Sequence, residues 1–108
     1  MNDLTQKKCV PCEIGTPTLT PEQFNPLLKQ LKLEWEVLEE KKIRHEFRFN
    51  EFMEAIDFVN KVAKLAEQEG HHPNIHIYYS RVVIDLTTHK IKGLSENDFI
   101  LAAKIEQI

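Results

Sequence analysis

The feature that most constrains the fold is a repeated change of hydrophobic period along the chain. Apolar residues recur every three to four positions over about 20–31, 50–69 and 95–105, and roughly every second position in 35–49 and 74–87. The first period is typical of an amphipathic helix and the second of a half-buried strand. The sequence therefore predicts the order helix, two strands, helix, two strands, helix.

Short motifs set the ends of the predicted helices. The segment 20–23, Thr-Pro-Glu-Gln, combines an N-cap hydroxyl, a proline at the first helical position and a glutamine three residues after the cap. Asn50 is expected to cap the second helix, and Gly70 to end it. The segment 95–98, Ser-Glu-Asn-Asp, resembles a capping box for the third helix, with Asp in place of the more usual Glu.

The strand segments are each predicted to form a hairpin. In 35–49 the connection is the charged stretch 39–42, and the second hairpin joins 74–79 to 81–87 around Ser80 and Arg81. Pairs of adjacent antiparallel strands separated by amphipathic helices are typical of the α+β class. We therefore expect a four-stranded antiparallel sheet with three helices packed on one face.

Length and composition indicate one globular domain. A chain of 108 residues is too short for two separate cores, and 42% hydrophobic with 29% charged residues is ordinary for a folded protein. We expect residues 1–19 to form an irregular N-terminal arm and residues 20–108 the single domain. Free sheet edges in so small a domain favour self-association.

Charge and hydropathy argue against two classes of partner. The net charge is -3 and the Lys and Arg residues are mixed with Glu, so no basic surface for direct nucleic acid binding is expected. No apolar run approaches the length of a membrane-spanning helix, and residues 1–8 lack the apolar core of a signal sequence. These observations predict a cytoplasmic protein that does not bind a membrane.

Cys9 and Cys12 form a Cys-x-x-Cys motif in the predicted arm. A structural zinc site needs two more ligands at matching spacing, and a redox motif follows a strand and opens a helix. Pro11 and the prolines and glycine after it indicate a loop instead. We interpret the pair as incidental reduced thiols, with a shared metal or a regulatory disulfide as the alternatives.

Three of the five histidines are placed to meet. His71 and His72 follow Gly70 at the predicted end of the second helix, and Pro73 biases His72 toward extended geometry. His89 lies just past the last strand. Because a hairpin keeps the start of its first strand near the end of its second, the pair and His89 should lie at one edge of the domain.

Two other interpretations of these histidines stay open. A surface histidine is commonly just solvated, and three converging imidazoles suit zinc or copper with an open position for water. No carboxylate is obviously placed to orient each imidazole as metal sites require, and the sequence lacks the i, i+4 spacing of metal-binding helices. His45 and His76 fall within strand patterns, so both are expected to be structural or solvated.

Four segments in fixed order carry a resemblance to a known family. They are Glu67-x-x-Gly70-His71-His72-Pro73, Tyr79-Ser80-Arg81-Val82, Thr87-Thr88-His89 and the stretch from Gly93 to Phe99, Gly-Leu-Ser-Glu-Asn-Asp-Phe. In order and spacing the chain resembles the pterin-4a-carbinolamine dehydratase family over nearly its whole length. The arm from Cys9 to Leu19 and Trp35 resemble the bacterial-type members.

The resemblance implies a hydro-lyase that dehydrates 4a-hydroxytetrahydropterin to quinonoid dihydropterin and water, without a metal or another cofactor. It implies catalytic roles for His71, His72 and His89. Substrate-binding positions implied by the resemblance are Glu67, His71, His72, Pro73, Thr88, His89, Lys90, Ile91 and Asp98. It further implies a homodimer or homotetramer that recycles the pterin of an aromatic amino acid hydroxylase.

Imidazole suits this reaction because both of its protonation states are populated near neutral pH. We expect His71 or His89 to protonate the leaving hydroxyl, and His72 to position the ring or take the proton. Asn74 and Ile75 depart from the acidic and aromatic residues of many relatives, so no stacking role is expected there. A different class of function, a dimerisation cofactor for a transcription factor, is known for animal members and has no specific signal in this sequence.

Overall fold

The computed structural model describes residues 4–11 and 13–108 of the chain. Helices and strands alternate there in the predicted order: α1 (Pro21–Gln30), β1 (Glu36–Leu38), β2 (Lys42–Arg48), α2 (Phe52–Glu69), β3 (Asn74–Tyr78), β4 (Arg81–Leu86) and α3 (Glu96–Ile105). Single turns of 3-10 helix lie at Leu4–Gln6 and His89–Ile91. The predicted element order is confirmed.

The strands form one antiparallel sheet in the order β1-β2-β4-β3. Val82, Ile84 and Leu86 alternate along the central strand β4, and each is fully buried on the side that the helices cover. The opposite face of the sheet carries charged residues, among them the ion pair of Arg44 with Asp85. The α+β prediction, with a four-stranded antiparallel sheet and helices on one face, is confirmed.

The core lies between the sheet and the helices, and α3 is its centre. Eight of the ten residues of α3 are buried, whereas α1 buries Phe24 and α2 buries one stripe. The buried residues of α2 are Ala55, Phe58, Val62 and Ala66. The apolar stripe predicted for this helix is therefore only part of its buried surface, because nearly every side of α3 contacts protein.

The cap of α2 differs from the prediction by one residue. Glu51, not Asn50, is the N-cap, with extended backbone angles of φ -143° and ψ 162°. The Glu54 carboxylate accepts hydrogen bonds from the backbone N–H groups of both Asn50 and Glu51. Glu54 in the first turn of the helix therefore satisfies the backbone N–H groups of the predicted cap, Asn50, and of the observed cap, Glu51.

The turn of the second hairpin also lies one residue earlier than predicted. Tyr78 pairs with Arg81, so the two-residue turn is Tyr79 and Ser80, and Tyr79 has a left-handed φ of 54°. Two-residue hairpin loops favour left-handed backbone because it matches the twist of the strands. The predicted charged tip of the first hairpin is at residues 39–41.

No helix in residues 4–11 and 13–108 is both long and apolar enough to cross a membrane. Within the arm, Leu4 is 2% exposed and its 3-10 turn packs against α3. The arm is thus anchored to the domain at Leu4.

A closed loop after β4 fixes the position of His89. The Thr88 N–H donates to the Gly93 carbonyl over 2.9 Å, and the two residues form an isolated antiparallel bridge. The 3-10 turn His89–Ile91 lies inside this loop. A Cβ atom on Gly93 would lie 2.5 Å from Thr18 Cγ2 and 2.9 Å from Thr18 Cβ, closer than packed carbon atoms approach.

We predict that Gly93→Ala lowers the free energy of unfolding by about 1–3 kcal/mol, because the added methyl group overpacks the contact with Thr18. Urea denaturation measures the change. The double variant Thr18→Gly/Gly93→Ala should recover most of the loss, since it removes the opposing side chain. Full stability of Gly93→Ala alone would contradict this account of the loop.

Candidate active site

A cleft of about 330 Å³ lies at one edge of the domain, and it contains three of the five histidines. It is bounded by the arm, the end of α2, the loop after β4 and the first turn of α3. The residues that line it are Val10, Pro11, Glu69, Gly70, His71, His72, Thr87, Thr88, His89, Lys90 and Asn97. The predicted meeting of His71, His72 and His89 at one edge is what the structure shows.

His71 is held by the end of α2 and by a buried carboxylate. Gly70 ends the helix in the left-handed conformation, with φ 67°, and the His71 N–H then donates to the Ala66 carbonyl. His71 Nε2 lies 2.6 Å from Asp98 Oδ1. The histidine side chain is 11% exposed and the aspartate side chain is fully buried.

Asp98 joins three parts of the site. Besides contacting His71 through Oδ1, its Oδ2 atom accepts from Thr88 Oγ1 at 2.9 Å and from the Ser95 N–H at 3.0 Å. Because the single Thr88 hydroxyl hydrogen goes to Asp98, the Ser95 hydroxyl donates to Thr88 Oγ1 over their 2.7 Å contact. The same carboxylate therefore caps α3 and orients an imidazole.

This arrangement sets the tautomer of His71. An ionised carboxylate only accepts hydrogen bonds, so Nε2 carries a hydrogen toward Asp98 and the neutral ring bears its lone pair on Nδ1. A buried carboxylate partner also stabilises the imidazolium that forms when Nδ1 accepts a proton. The pair can therefore accept and return a proton at one defined atom.

His72 and His89 are more open to solvent. His72 Nε2 lies 2.9 Å from Oε1 of Glu67, a residue in the last turn of α2. The side chains of His72 and Glu67 are 61% and 79% exposed. Within residues 4–11 and 13–108, His89 makes no side-chain hydrogen bond or ion pair, and it is exposed on its 3-10 turn. The three imidazoles therefore occupy three different environments along one cleft.

The cleft includes only part of the predicted substrate-binding set. His71, His72, Thr88, His89 and Lys90 line it. Glu67, Pro73, Ile91 and Asp98 do not line it. Glu67 and Asp98 instead contact the imidazoles of His72 and His71 from outside the cleft.

Six of the eleven lining residues were not in the predicted substrate-binding set: Val10, Pro11, Glu69, Gly70, Thr87 and Asn97. Val10 and Pro11 belong to the arm, and no local pattern indicates where an irregular segment returns to the domain. Asn97 belongs to the family-like segment from Gly93 to Phe99, and its position next to Asp98 could have indicated that it lies at the site.

Glu69 forms a buried ion pair at the base of the arm. Its Oε2 atom accepts from Lys104 Nζ at 2.7 Å, and its Oε1 atom accepts from the Cys9 N–H at 2.9 Å. Burial alone would raise the pKa of Glu69, but these hydrogen bonds outweigh burial and lower it. The same burial, with the Glu69 charge, raises the pKa of Cys9 to about 12.

The Cys9 thiol is therefore protonated at neutral pH and is not an activated nucleophile. Cys12, the second member of the predicted thiol pair, lies outside the described residues. The interpretation of the pair as incidental thiols stays a prediction.

The other two histidines lie in strands of the sheet, His45 in β2 and His76 in β3. His45 Nδ1 lies 2.7 Å from the Glu34 carbonyl and its ring packs on Trp35. His76 Nε2 lies 3.4 Å from Asp85, whose pKa is lowered because the hydrogen bond from Arg44 outweighs burial. A larger concavity of about 650 Å³ lies beside them on the helix-free face. Ion pairs already join Arg44 to Asp85 and Arg81 to Glu46 there, and only the smaller cleft brings three histidines together, so the histidine cleft is the better candidate for chemistry.

Comparison with known proteins shows the family of the chain. The family model described as pterin 4 alpha carbinolamine dehydratase matches residues 17–108. A relative from Rubrobacter xylanophilus is 47% identical over the full length of both chains, and one from Alkaliphilus metalliredigens is 45% identical over 99% of this chain and 96% of its own. The names of both assign them provisionally to pterin-4-alpha-carbinolamine dehydratase.

A solved structure supports the same assignment. A protein from Brucella melitensis, described as a transcriptional coactivator/pterin dehydratase, is 32% identical and superposes with a TM-score of 0.78 over 84% of this chain and 97% of its own. The fold and the site define a small α+β protein with a cleft lined by three histidines. The chain belongs to the pterin 4 alpha carbinolamine dehydratase family, whose members are hydro-lyases.

We predict that Asp98→Ala lowers the free energy of unfolding by about 2–4 kcal/mol, because it leaves Thr88, the Ser95 N–H and His71 without their buried acceptor. Thermal or urea denaturation measures the loss. Glu96→Ala is the matched control, since it removes a neighbouring carboxylate that forms an ion pair with Lys7 at the surface. That variant should lose less than about 1 kcal/mol. Equal losses in the two variants would contradict the role given to Asp98.

Proposed function

We propose that this protein dehydrates 4a-hydroxytetrahydropterin to quinonoid dihydropterin and water by general acid-base catalysis from His71, His72 and His89. The observation that carries the proposal is one cleft with three imidazoles in different environments, in a chain of the dehydratase family. General acid-base catalysis supplies roughly 100- to 10,000-fold, without a metal or a redox cofactor.

The reaction needs one proton donor and one proton acceptor. The bond from C4a to the hydroxyl oxygen breaks as that oxygen receives a proton and leaves as water. The adjacent ring nitrogen, N5, loses its proton, and a C4a=N5 double bond forms. One imidazolium and one neutral imidazole on the two sides of this carbon complete the exchange, and proton transfer through water restores both.

His71 is best suited to accept the N5 proton. Its hydrogen bond to the buried Asp98 leaves Nδ1 as the lone-pair atom and stabilises the resulting imidazolium. We therefore assign His71 as the base, whereas the sequence alone had suggested either His71 or His89 as the acid. His89, exposed on its turn, is then the donor to the leaving hydroxyl.

His72 positions the ring. Its Nε2 atom contacts Glu67 at 2.9 Å, so its orientation is set from outside the cleft, while its imidazole lines the cleft. Lys90 lies beside His89 and offers an ammonium group to the polar edge of the pterin, whereas the Thr88 hydroxyl is already bonded to Asp98 and Ser95. Pro73 and Ile91 then shape the chain around the cleft without lining it.

The alternative of a tri-histidine metal site has no geometric support. Across the described part of the chain, no three His, Cys, Asp or Glu side chains are grouped to hold a metal ion. The alternative of a dimerisation cofactor for a transcription factor rests on no feature of these residues.

We predict that His71→Ala and His89→Ala each slow the catalysed decay of 4a-hydroxytetrahydropterin at least about tenfold, because each removes a proton-transfer group. Stopped-flow absorbance with and without protein measures the rate. His76→Ala is the matched control, since this imidazole lies on the helix-free face and does not line the cleft.

Full activity of both cleft variants would exclude the assigned roles. Loss of activity in His76→Ala to the same extent would show that the effect is not specific to the cleft. Circular dichroism of all three variants checks that each one folds.

Self-association is part of the same proposal, as a homodimer or homotetramer. Strand β3 is one edge of the sheet; Ile77 and Tyr78 on it are 42% and 52% exposed, and Tyr79 in the turn after it is 72% exposed. An uncovered edge strand with apolar side chains favours pairing with a second copy. The proposal also includes a cytoplasmic location, which rests on the hydropathy of the sequence, and a link to an aromatic amino acid hydroxylase, which rests on the family resemblance.

We predict that light scattering at micromolar concentration gives two or four times the chain mass of 12.7 kDa. Ile77→Lys should shift the protein toward the monomer, because a charge on an edge strand opposes pairing. Ile14→Lys places the same charge on an arm residue that is 87% exposed and should change nothing. A monomeric wild-type protein would refute the assembly.

A further inference from the structure

The arm contributes a wall to the histidine cleft from outside the segment that defines the family. Val10 and Pro11 line the cleft, whereas the family model begins at residue 17. Most of the other lining residues are polar or charged, so these two side chains supply apolar surface opposite the polar groups. A flat heterocycle needs apolar contact for its faces as well as polar groups for its edges.

The side chain of Asn97 fixes the arm at this point. The Val10 N–H donates to Asn97 Oδ1 at 2.9 Å, and Asn97 Nδ2 donates to the Val10 carbonyl at 2.5 Å. An amide side chain thus pairs with both backbone groups of one residue, as a neighbouring strand would. Asn97 is 5% exposed, so these bonds are largely shielded from water.

Two further anchors restrict the arm on the N-terminal side of Val10. The Cys9 N–H donates to Glu69, which the buried Lys104 ammonium holds in place. Leu4 is buried in the core beside α3. The arm is therefore fixed before any ligand arrives, and binding does not have to order it.

We infer that Val10 and Pro11 form a fixed wall of the pterin cleft, and that Asn97 is the positioning residue that holds it there. This inference rests on the proposed function, since it assigns the wall to the same substrate. The wall contacts the pterin in the ground state and the transition state alike, so it acts on binding and not on proton transfer. Its loss should raise KM and leave kcat nearly unchanged.

Val10→Gly tests the wall directly. Val10 is 63% exposed, so its side chain contributes little to the core, and the substitution keeps both backbone bonds to Asn97. We expect KM for 4a-hydroxytetrahydropterin to rise about five- to tenfold and kcat to stay within about twofold. Ile14→Gly is the matched control, since Ile14 is a more exposed aliphatic residue of the same arm that does not line the cleft.

Asn97→Ala tests the anchor and should raise KM by a similar factor, with kcat again nearly unchanged. Fluorescence titration with 7,8-dihydrobiopterin, a stable pterin, should show the same loss of affinity in both variants, and thermal denaturation reports folding. If Asn97→Ala does not fold, Val10→Gly decides alone.

Two failures are distinguishable. A wild-type protein that neither accelerates the decay nor binds the pterin overturns the proposed function and this inference with it. An active wild-type protein whose Val10→Gly variant keeps its KM, or loses kcat instead, overturns the wall and leaves the proposed function intact.

Discussion

The buried carboxylate of Asp98 is the interaction on which the rest of the site depends. It is fully buried and accepts from His71, from Thr88 and from the Ser95 N–H. A buried charge is tolerated only when its oxygens are satisfied, so these three donors must arrive together. They come from the end of α2, the loop after β4 and the start of α3, and the carboxylate therefore fixes the geometry of all three.

Much of the fold was predictable because its signals are local. Hydrophobic period, the Thr20 cap, the Gly70 stop and the charged hairpin tip each depend on a few neighbouring residues, and each is confirmed. The cap of α2 was predicted one residue early because Glu51, a residue type less favoured at N-caps than Asn, forms a capping box with Glu54. The turn of the second hairpin was predicted one residue late because Tyr79 has a left-handed backbone, and tyrosine is not a residue type that indicates such a turn.

The site was predictable only in part, for a physical reason. Hairpin geometry was enough to bring His89 to the edge that carries His71 and His72. Asp98 and Glu67 were expected beside the substrate, yet they contact the imidazoles of His71 and His72 from outside the cleft. Asp98 and His71 lie 27 residues apart, and Glu67 and His72 lie five apart, and neither spacing was interpreted as a contact. The arm wall was missed since the contact of Val10 with Asn97 spans 87 residues and follows no period.

Asn97 and Asp98 are consecutive residues in the first turn of α3, and their side chains bind different parts of the protein. One holds the arm, and the other holds His71. The proposed apolar wall and the proposed proton-transfer groups therefore share a single rigid support while having no residue in common. Under the proposed function, exchange of arm side chains would change which pterins fit without disturbing the chemistry, whereas a tilt of this helical turn would alter selectivity and turnover together.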